Sequence, residues 1–380
     1  MTPMTGLKHL VLLGAGHAHV QVLHSLAHSR PADLNLTVVA PYPRQLYSGM
    51  VPGFVAGHYT LDQCVIPLDG LLARCGARYL PTRGVALDAD AKTLSLASGE
   101  ALSWDWLSVN TGPVMDREKI EAQMPGAREH ALFLRPIEGF GQLWPQVAAM
   151  GRERPIHVAV VGAGAAGLEL AMAAAHALGD PVLPAGSHVT LLAGGAAPGA
   201  NYPPAVQKRV ANALRRLGIT VLPDTCAGVG PGEIRLASGA HLACDVPLLA
   251  VGAQAPAWLA PSGLALDDDG FLAVNAFQQS TSHPHVFAAG DVASRIDAPH
   301  PRSGVYAVRA GSALLANLRA ALQGQPLAPY APPARTLNLL SCGARHAIAA
   351  WGGISFEGRW VWHWKDHIDR RFVARYASPG

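Results

Sequence analysis

The chain has 380 residues, half of them apolar, 14% charged and only 6% aromatic, with 40 glycines set among alanine-rich stretches. That length is too great for one small core and suits two or three domains. The composition fits helices packed closely on sheets and excludes a disordered or fibrous chain. A net charge of +3 supplies no basic face for nucleic acid. Cys64, Cys75, Cys226, Cys244 and Cys342 form no C-x-x-C pair, so packed thiols in a reducing cytoplasm are expected rather than a redox disulfide.

The lead Met1–Lys8 shows no cleavage-site pattern of a secretory signal and runs straight into a predicted strand, His9–Leu13. Gly14-Ala15-Gly16 then turns into a helix predicted to about Ser29, followed by a strand over Leu34–Ala40. A strand feeding G-x-G into a helix lets the backbone approach a diphosphate, whose charge faces the helix N-terminus. Gly14 and Gly16 are therefore candidate ligands. The third glycine of the motif is replaced by His19, and the second strand ends Val38-Val39-Ala40-Pro41 without the acid that usually holds a ribose. His17 and His19 stand two apart, so they share no helical face, and no carboxylate or cysteine is close in sequence; a metal is not expected. They are expected to pack against, or hydrogen-bond around, the bound phosphates.

A β-rich stretch follows: Ala86–Leu96, the turn Ser98-Gly99-Glu100, and a returning strand predicted over Leu102–Val109, ending at Asn110-Thr111-Gly112. The plan then repeats at an offset of about 148 residues. Ile156–Val161 is a strand, Gly162-Ala163-Gly164-Ala165-Ala166-Gly167 a turn, the run to Leu178 a helix, and His188–Ala193 a strand. Here Gly162, Gly164 and Gly167 complete the dinucleotide motif in its required strand–helix context. Ile156–Leu178 has the length of a membrane span, but its glycine-rich turn and Glu169 make it a strand, a turn and a buried helix. The downstream strand ends Leu192-Ala193-Gly194, with neither the acid that favours NADH nor the arginine that favours NADPH. Glu169 has two readings, a surface charge or a group approaching the nicotinamide.

Glu233–Leu236, the turn Ser238-Gly239-Ala240 and a strand over His241–Ala250 echo the first β-rich stretch and lead to Val251-Gly252-Ala253. His285–Ala288 is a strand ending at Gly290-Asp291, and a helix is predicted from about Gly304 to Leu322. Proline and alanine crowd 326–334 as a linker before a small unit from Arg335 to Gly380. In that unit Val361, Trp364, Ile368 and Phe372 repeat at helical spacing, with Lys365, Arg370, Arg371 and Arg375 around them. The stripe has two readings: it lies on an anionic membrane, or it packs on protein, either the first unit or a second copy.

Taken together, the first G-x-G, Asn110-Thr111-Gly112, Gly162–Gly167 with Glu169, Val251-Gly252-Ala253 and His285–Asp291 resemble the pyridine nucleotide-disulfide oxidoreductase superfamily. Within it the chain resembles the type II NADH dehydrogenase branch, which lacks a catalytic disulfide. Gly16–Val20, Tyr47-Ser48-Gly49-Met50-Val51-Pro52-Gly53 and Trp360–Asp366 are similar to the NADH dehydrogenase-like module that some bacteria carry fused to selenide, water dikinase. The resemblance covers essentially the whole chain.

It implies an α/β fold of two Rossmann-like, glutathione reductase-like nucleotide-binding domains with a small C-terminal α+β unit. The FAD-binding domain would comprise 1–115 and 266–325, the NAD(P)H-binding domain 116–265, and the C-terminal unit 326–380. Asp291 and Gly290 would contact the ribityl–phosphate part of FAD; Thr111-Gly112 and Gly252 would lie where the chain crosses between domains near the nucleotides. Glu169 would stand near the nicotinamide. Tyr47, Met50 and Pro52 would shape the flavin pocket, with a plain Gly/Pro loop packed under a helix as the other reading. The expected activity is hydride uptake from NAD(P)H by FAD and electron transfer to a second acceptor. A quinone is one such acceptor, and a small soluble or sulfur- or selenium-containing compound is another. A flavin-bearing sensor without turnover is the third reading, disfavoured by retention of both nucleotide sites. The expected location is the cytoplasm, with peripheral membrane contact or homodimerisation through the C-terminal helix. The acceptor and the choice between NADH and NADPH stay open.

Overall fold

The structure, a computed structural model, describes residues 7–377. Met1–Gly6 of the N-terminal lead and 378–380 lie outside them. Ten strands form two parallel sheets of the same design. The first takes β1 (Lys8–Leu13), β2 (Leu34–Val39), β3 (Arg78–Leu80) and β4 (Trp106–Val109); the second takes β5 (Leu132–Phe133), β6 (His157–Val161), β7 (His188–Leu192), β8 (Thr220–Leu222) and β9 (Val246–Leu249). The first is completed by β10 (Val286–Ala288), giving the order β10-β4-β1-β2-β3 against β5-β9-β6-β7-β8. Helix α1 (His17–His28) connects β1 to β2, as the glycine turn required. Parallel strands covered on both faces need near-continuous apolar runs, which is what Leu10–Leu13 and Val158–Val161 supply at 5% exposure or less.

The duplication reaches the far ends of the strands. His9 Nε2 lies 2.8 Å from Thr37 Oγ1 and its N–H donates to Asp105 at 2.8 Å. His157 Nε2 lies 2.8 Å from Thr190 Oγ1 and its N–H donates to Asp245 at 2.8 Å. These two aspartates correct the long returning strands expected over Leu102–Val109 and His241–Ala250. In each case the chain breaks, after Ser103 and after Ala243, and leaves a three-stranded antiparallel meander to enter the parallel sheet. The backbone at Asp105 and Asp245 turns to bond His9 and His157, and so cannot continue the meander ladder.

One large core runs between the sheets and under the C-terminal unit, uniting Leu10, Val20, Val160, Leu170 and Val361. The meander face of the first sheet has its own cluster, which takes in Leu259 and Leu264. Helix α2 (Val51–Val55), with Pro52 in its first turn, packs on α4 (Ala165–Leu178) of the second unit. Between the units, α3 (Ile137–Glu153) lays Gly141 against Leu46 and Leu61 of the first. Helix α5 (Gly304–Gln323) covers α1.

The C-terminal unit is a three-stranded antiparallel sheet, Leu337–Ser341, Ala347–Trp351 and Ile354–Gly358, followed by α6 (Arg359–Ala377). The expected apolar stripe does not form one face. Val361 is fully buried and Phe372 stacks on Tyr47, while Trp364 and Ile368 are 41% and 39% exposed. Helix α6 docks through Val361, Trp362, Lys365, Asp369, Val373 and Tyr376 instead. Lys365, expected among the surface cations, points inward: its ammonium donates to Gly49 O and to Asp369 Oδ2, each at 2.6 Å. A lysine can be buried when all its charge is answered this way, and the rotation this imposes turns Trp364 outward. Asp366 adds a second fastening, accepting from Tyr59 OH at 2.6 Å and Arg370 Nε at 2.8 Å.

Candidate functional site

The C-terminal ends of both sheets converge where the two chain crossings lie side by side, Val114 pairing antiparallel with Gln254. Each sheet presents a glycine turn there, and the two turns are built differently.

In the second unit, Gly162 has φ +111° and backs onto Ala250: a Cβ would sit 2.6 Å from the Ala250 oxygen. At Gly167 a Cβ would sit 1.8 Å from the Gly162 oxygen, so only glycine lets α4 approach β6 this closely. Side chains at Gly164 and Gly252 would meet nothing within 4 Å, and both face open space. The N–H groups of Ala165, Ala166 and Gly167 have no partner among the described residues. This is a helix N-terminus free to receive a diphosphate, with a backbone-lined cradle in front of it.

In the first unit the same place is occupied by Asn110. Its carbonyl accepts from Gly16 N at 3.1 Å, and its Oδ1 accepts from Ala18 N and His19 N, both at 3.1 Å. Its Nδ2 donates to Ala289 O at 2.5 Å, tying the G-x-G turn to Gly290-Asp291. A Cβ at Gly14, Gly16 or Gly290 would lie within 2.7 Å of Asn110, so these glycines serve the asparagine as much as any ligand.

His19 is not at the ligand face. Its Nδ1 lies 2.6 Å from Gly14 O and so carries the proton; Nε2 accepts from Ser108 Oγ at 2.8 Å. Burial pushes it down to about 4. The imidazole fills the gap that the missing third glycine leaves between α1 and β4, which corrects its expected place among the phosphate contacts. His17 is half-buried, 3.5 Å from Ser48 Oγ and edge-on to Tyr47, and burial, aided by Arg135, also holds it down at about 4.

Asp291 follows Gly290 (φ +74°) and lines a cleft of about 250 Å³ with His300, Arg302 and Tyr306. Its carboxylate has no hydrogen-bond partner among the described residues. Burial raises its pKa, against the pull of Arg135, Arg302 and His300. An unpartnered acceptor here fits a ligand hydroxyl, and with the two glycine cradles it satisfies the demands of FAD and of a second dinucleotide. Thr111 is exposed beside Gly112 (φ +71°) at the crossing.

Tyr47 joins His17 and Phe372 in an aromatic wall, its ring stacked on Phe372 at 4.7 Å. Met50 and Pro52 are buried beneath this loop, Met50 completely. Glu169 is recessed between the second unit and the C-terminal sheet, accepting from Ser341 N at 2.7 Å. Burial raises it to about 7, with Lys365 and the Ser341 N–H opposing. Asn110 was legible as part of a motif, but not its side-chain role. Arg135, the cation acting on both His17 and Asp291, carried no sequence signal. The five cysteines are free and buried, and no metal-holding cluster of His, Cys, Asp or Glu occurs among the described residues.

Residues 8–311 match the family model described as pyridine nucleotide-disulphide oxidoreductase. An NADH dehydrogenase-like protein of Mycobacterium tuberculosis is 28% identical over 252 residues, covering 63% of this chain and 61% of that protein; the chain thus spans less than two thirds of this relative. The oxidoreductase ptaL of Pestalotiopsis fici is 26% identical over 93% of this chain and 94% of its own length. Among solved structures, sulfide:quinone oxidoreductase from Aquifex aeolicus superposes with a TM-score of 0.80 at 17% identity, covering 98% of this chain and 92% of its own. NDH2 from Plasmodium falciparum gives 0.81 at 12% identity, covering 98% and 97%. At these identities the structural likeness establishes the shared fold.

Proposed function

Because this chain belongs to the pyridine nucleotide-disulphide oxidoreductase family, whose members bind FAD and NAD(P)H, we propose that it takes hydride from NAD(P)H and passes electrons to a quinone. The observation that carries the two-nucleotide reading is the pair of glycine turns at the ends of the two sheets, one open and one reinforced by Asn110, with the unpartnered Asp291 beside the second of these. FAD, when bound, supplies the two-electron chemistry. Gly162, Gly164 and Gly167 would hold the NAD(P)H diphosphate; Gly14, Gly16 and Asp291 would hold FAD. Tyr47 and His17 would exclude water from one side of the site. Glu169, poised near 7, would keep a proton available to a reduced acceptor.

The quinone is favoured by relatives named for it, including a sulfide-quinone reductase of Aquifex aeolicus, and by the lack of any cysteine pair in the described residues that would reduce a disulfide. Anaerobic NADH or NADPH should bleach the yellow protein, and a quinone should restore the colour, more slowly as the pH rises above about 7 and Glu169 loses its proton. Protein that neither coenzyme bleaches would refute the oxidoreductase reading.

The membrane contact is proposed on a face that keeps Trp364 and Ile368 of the expected stripe and replaces the buried Val361 and the docked Phe372 with Trp360. Trp360, Trp364 and Ile368 form an exposed ridge on α6, beside Trp351, Ile354 and Phe356 of the adjoining hairpin. Arg359, Arg371 and Arg375 are exposed on the same helix, whose carboxylates Asp366 and Asp369 turn towards the protein. Tryptophan and arginine without facing acids suit an anionic lipid headgroup region. No described helix is long and apolar enough to cross a membrane, so the contact would be peripheral. Vesicles containing phosphatidylglycerol should pellet the protein and blue-shift its tryptophan emission, and Trp360→Ser with Trp364→Ser should abolish both. Equal behaviour of the double variant would place the contact elsewhere.

A further inference from the structure

We propose that Asp224, just past the end of β8, holds the adenosine ribose of the nicotinamide coenzyme and selects NADH over NADPH. This rests on the two-nucleotide reading above.

A dinucleotide on the C-terminal edge of a parallel sheet sets its diphosphate on the glycine turn and its adenosine over the strands beside it. An acid ending the second strand then takes the ribose 2′-hydroxyl, and an arginine there takes a 2′-phosphate. Here β7 runs out into Ala193-Gly194-Gly195, with neither. Gly194 and Gly195 have φ of +64° and +82°, and a Cβ on either would meet nothing within 4 Å. The loop they open carries no charged residue as far as Pro203. It returns to the cradle through Gly199 N, which donates to Ala163 O at 3.2 Å. Beyond the end of β7, then, no side chain parts a ribose from the neighbouring strand.

That strand brings the missing carboxylate. In both sheets the second strand is zipped to the third past its last residue: Ala40 N donates to Leu80 O at 3.2 Å, and Ala193 N to Leu222 O at 2.9 Å. In the first sheet Pro41 follows, which has no N–H to continue. In the second, Gly194 N donates to Asp224 O at 3.0 Å, so the pairing runs one step further. Asp224 thus stands about 4.8 Å, one strand spacing, from the place where the acid is absent. Thr82 holds the matching place in the first sheet, so the charge belongs to the second unit alone.

The carboxylate is also fixed in position. Ser238 Oγ, from the turn of the meander, donates to its Oδ2 at 2.6 Å, and Thr225 N donates to its Oδ1 at 2.7 Å. The same two donors hold its carboxyl below the usual range, which keeps it ionised at neutral pH. A carboxylate accepts about four hydrogen bonds, and the two left over match the two hydroxyls of a ribose. No cation pairs with Asp224 among the described residues. A 2′-phosphate would therefore meet a like charge with nothing to offset it.

The test is calorimetric binding of ADP-ribose, its 2′-deoxy analogue and its 2′-phosphate to the flavin-loaded protein. The wild type should bind ADP-ribose about 10-fold more tightly than either of the others, the effect of one hydrogen bond to a charged group. Asp224→Ala should bind ADP-ribose only as well as the 2′-deoxy analogue, whose own affinity stays at the wild-type value. The same variant should take the 2′-phosphate as well as ADP-ribose. Asp224→Asn, which keeps the shape and loses the charge, should admit the 2′-phosphate too, and it decides the matter if the alanine variant melts early. A wild type that binds the 2′-phosphate as tightly as ADP-ribose overturns the proposal, and so do variants that keep the wild-type discrimination. An equal loss for all three fragments also overturns it, because Asp224 would then shape the site without meeting the ribose. A wild type that binds none of the fragments sinks the underlying coenzyme reading, an outcome distinct from failure of the variants alone.

Discussion

Lys365→Met should destabilise the protein by about 3–5 kcal/mol, the cost of removing one partner from a buried ion pair. The side chains of Lys365 and Asp369 are only 10% and 7% exposed, and the ammonium also answers the Gly49 carbonyl. Methionine would fill most of the volume but leave a carboxylate buried without its cation. Helix α6 would lose its hold on the loop around Tyr47, so the melt should show the C-terminal unit detaching first. Adding Asp369→Leu should recover much of the loss, since an apolar pair of similar volume no longer carries an unanswered charge. Thermal or urea unfolding of the three proteins checks this. A single variant as stable as the wild type would mean that Asp369 finds water or a proton at little cost.

Gly167→Ala should leave FAD in place and slow reduction by NAD(P)H about 100-fold, the scale of effect that a displacement of about 1 Å produces in a positioned reactant. Its methyl group would fall 1.8 Å from the Gly162 oxygen, and a backbone atom cannot swing aside as a side chain does. Helix α4 must shift outward, taking with it the amides of Ala165 and Ala166 and the carboxyl of Glu169. Stopped-flow reduction measures the effect, with flavin content as the control. Gly164→Ala makes a useful contrast: its methyl meets no protein atom, so any loss there reports contact with the nucleotide itself. If Gly167→Ala is reduced at the wild-type rate, the close approach of helix and strand is not needed for coenzyme binding.

The repeated βαβ units were legible because two periodicities, strand then helix, changed at a glycine turn in both places. The second glycine turn could be read from Gly162, Gly164 and Gly167 because its close approaches, at Gly162 and Gly167, are backbone to backbone. The first could not be read in full. His19 occupies a position whose usual glycine signals close packing, and nothing local shows that Asn110, some ninety residues on, pairs with the same turn. Long-range side-chain bonds of this kind leave no mark on neighbouring residues. The α6 face failed for a related reason. Helical spacing ranks residues by hydrophobicity, and a lysine paired with Asp369 four positions on is invisible to it, although the pair decides which side of the helix is buried. The strands over Leu102–Val109 and His241–Ala250 were apolar enough to read as continuous; the aspartate in each marked the break.

The edge strands of the two sheets enter in opposite orders along the chain. In the later sheet the edge strand, Leu132–Phe133, is the first to be made, and all five strands are present once residue 249 has been added. The earlier sheet still lacks Val286–Ala288 at that point, and with it Asp291; the inward lysine of the last helix comes later still. On a growing polypeptide, the later sheet can close while the half that begins the chain waits for its own edge. The half that is started first is the last to be sealed.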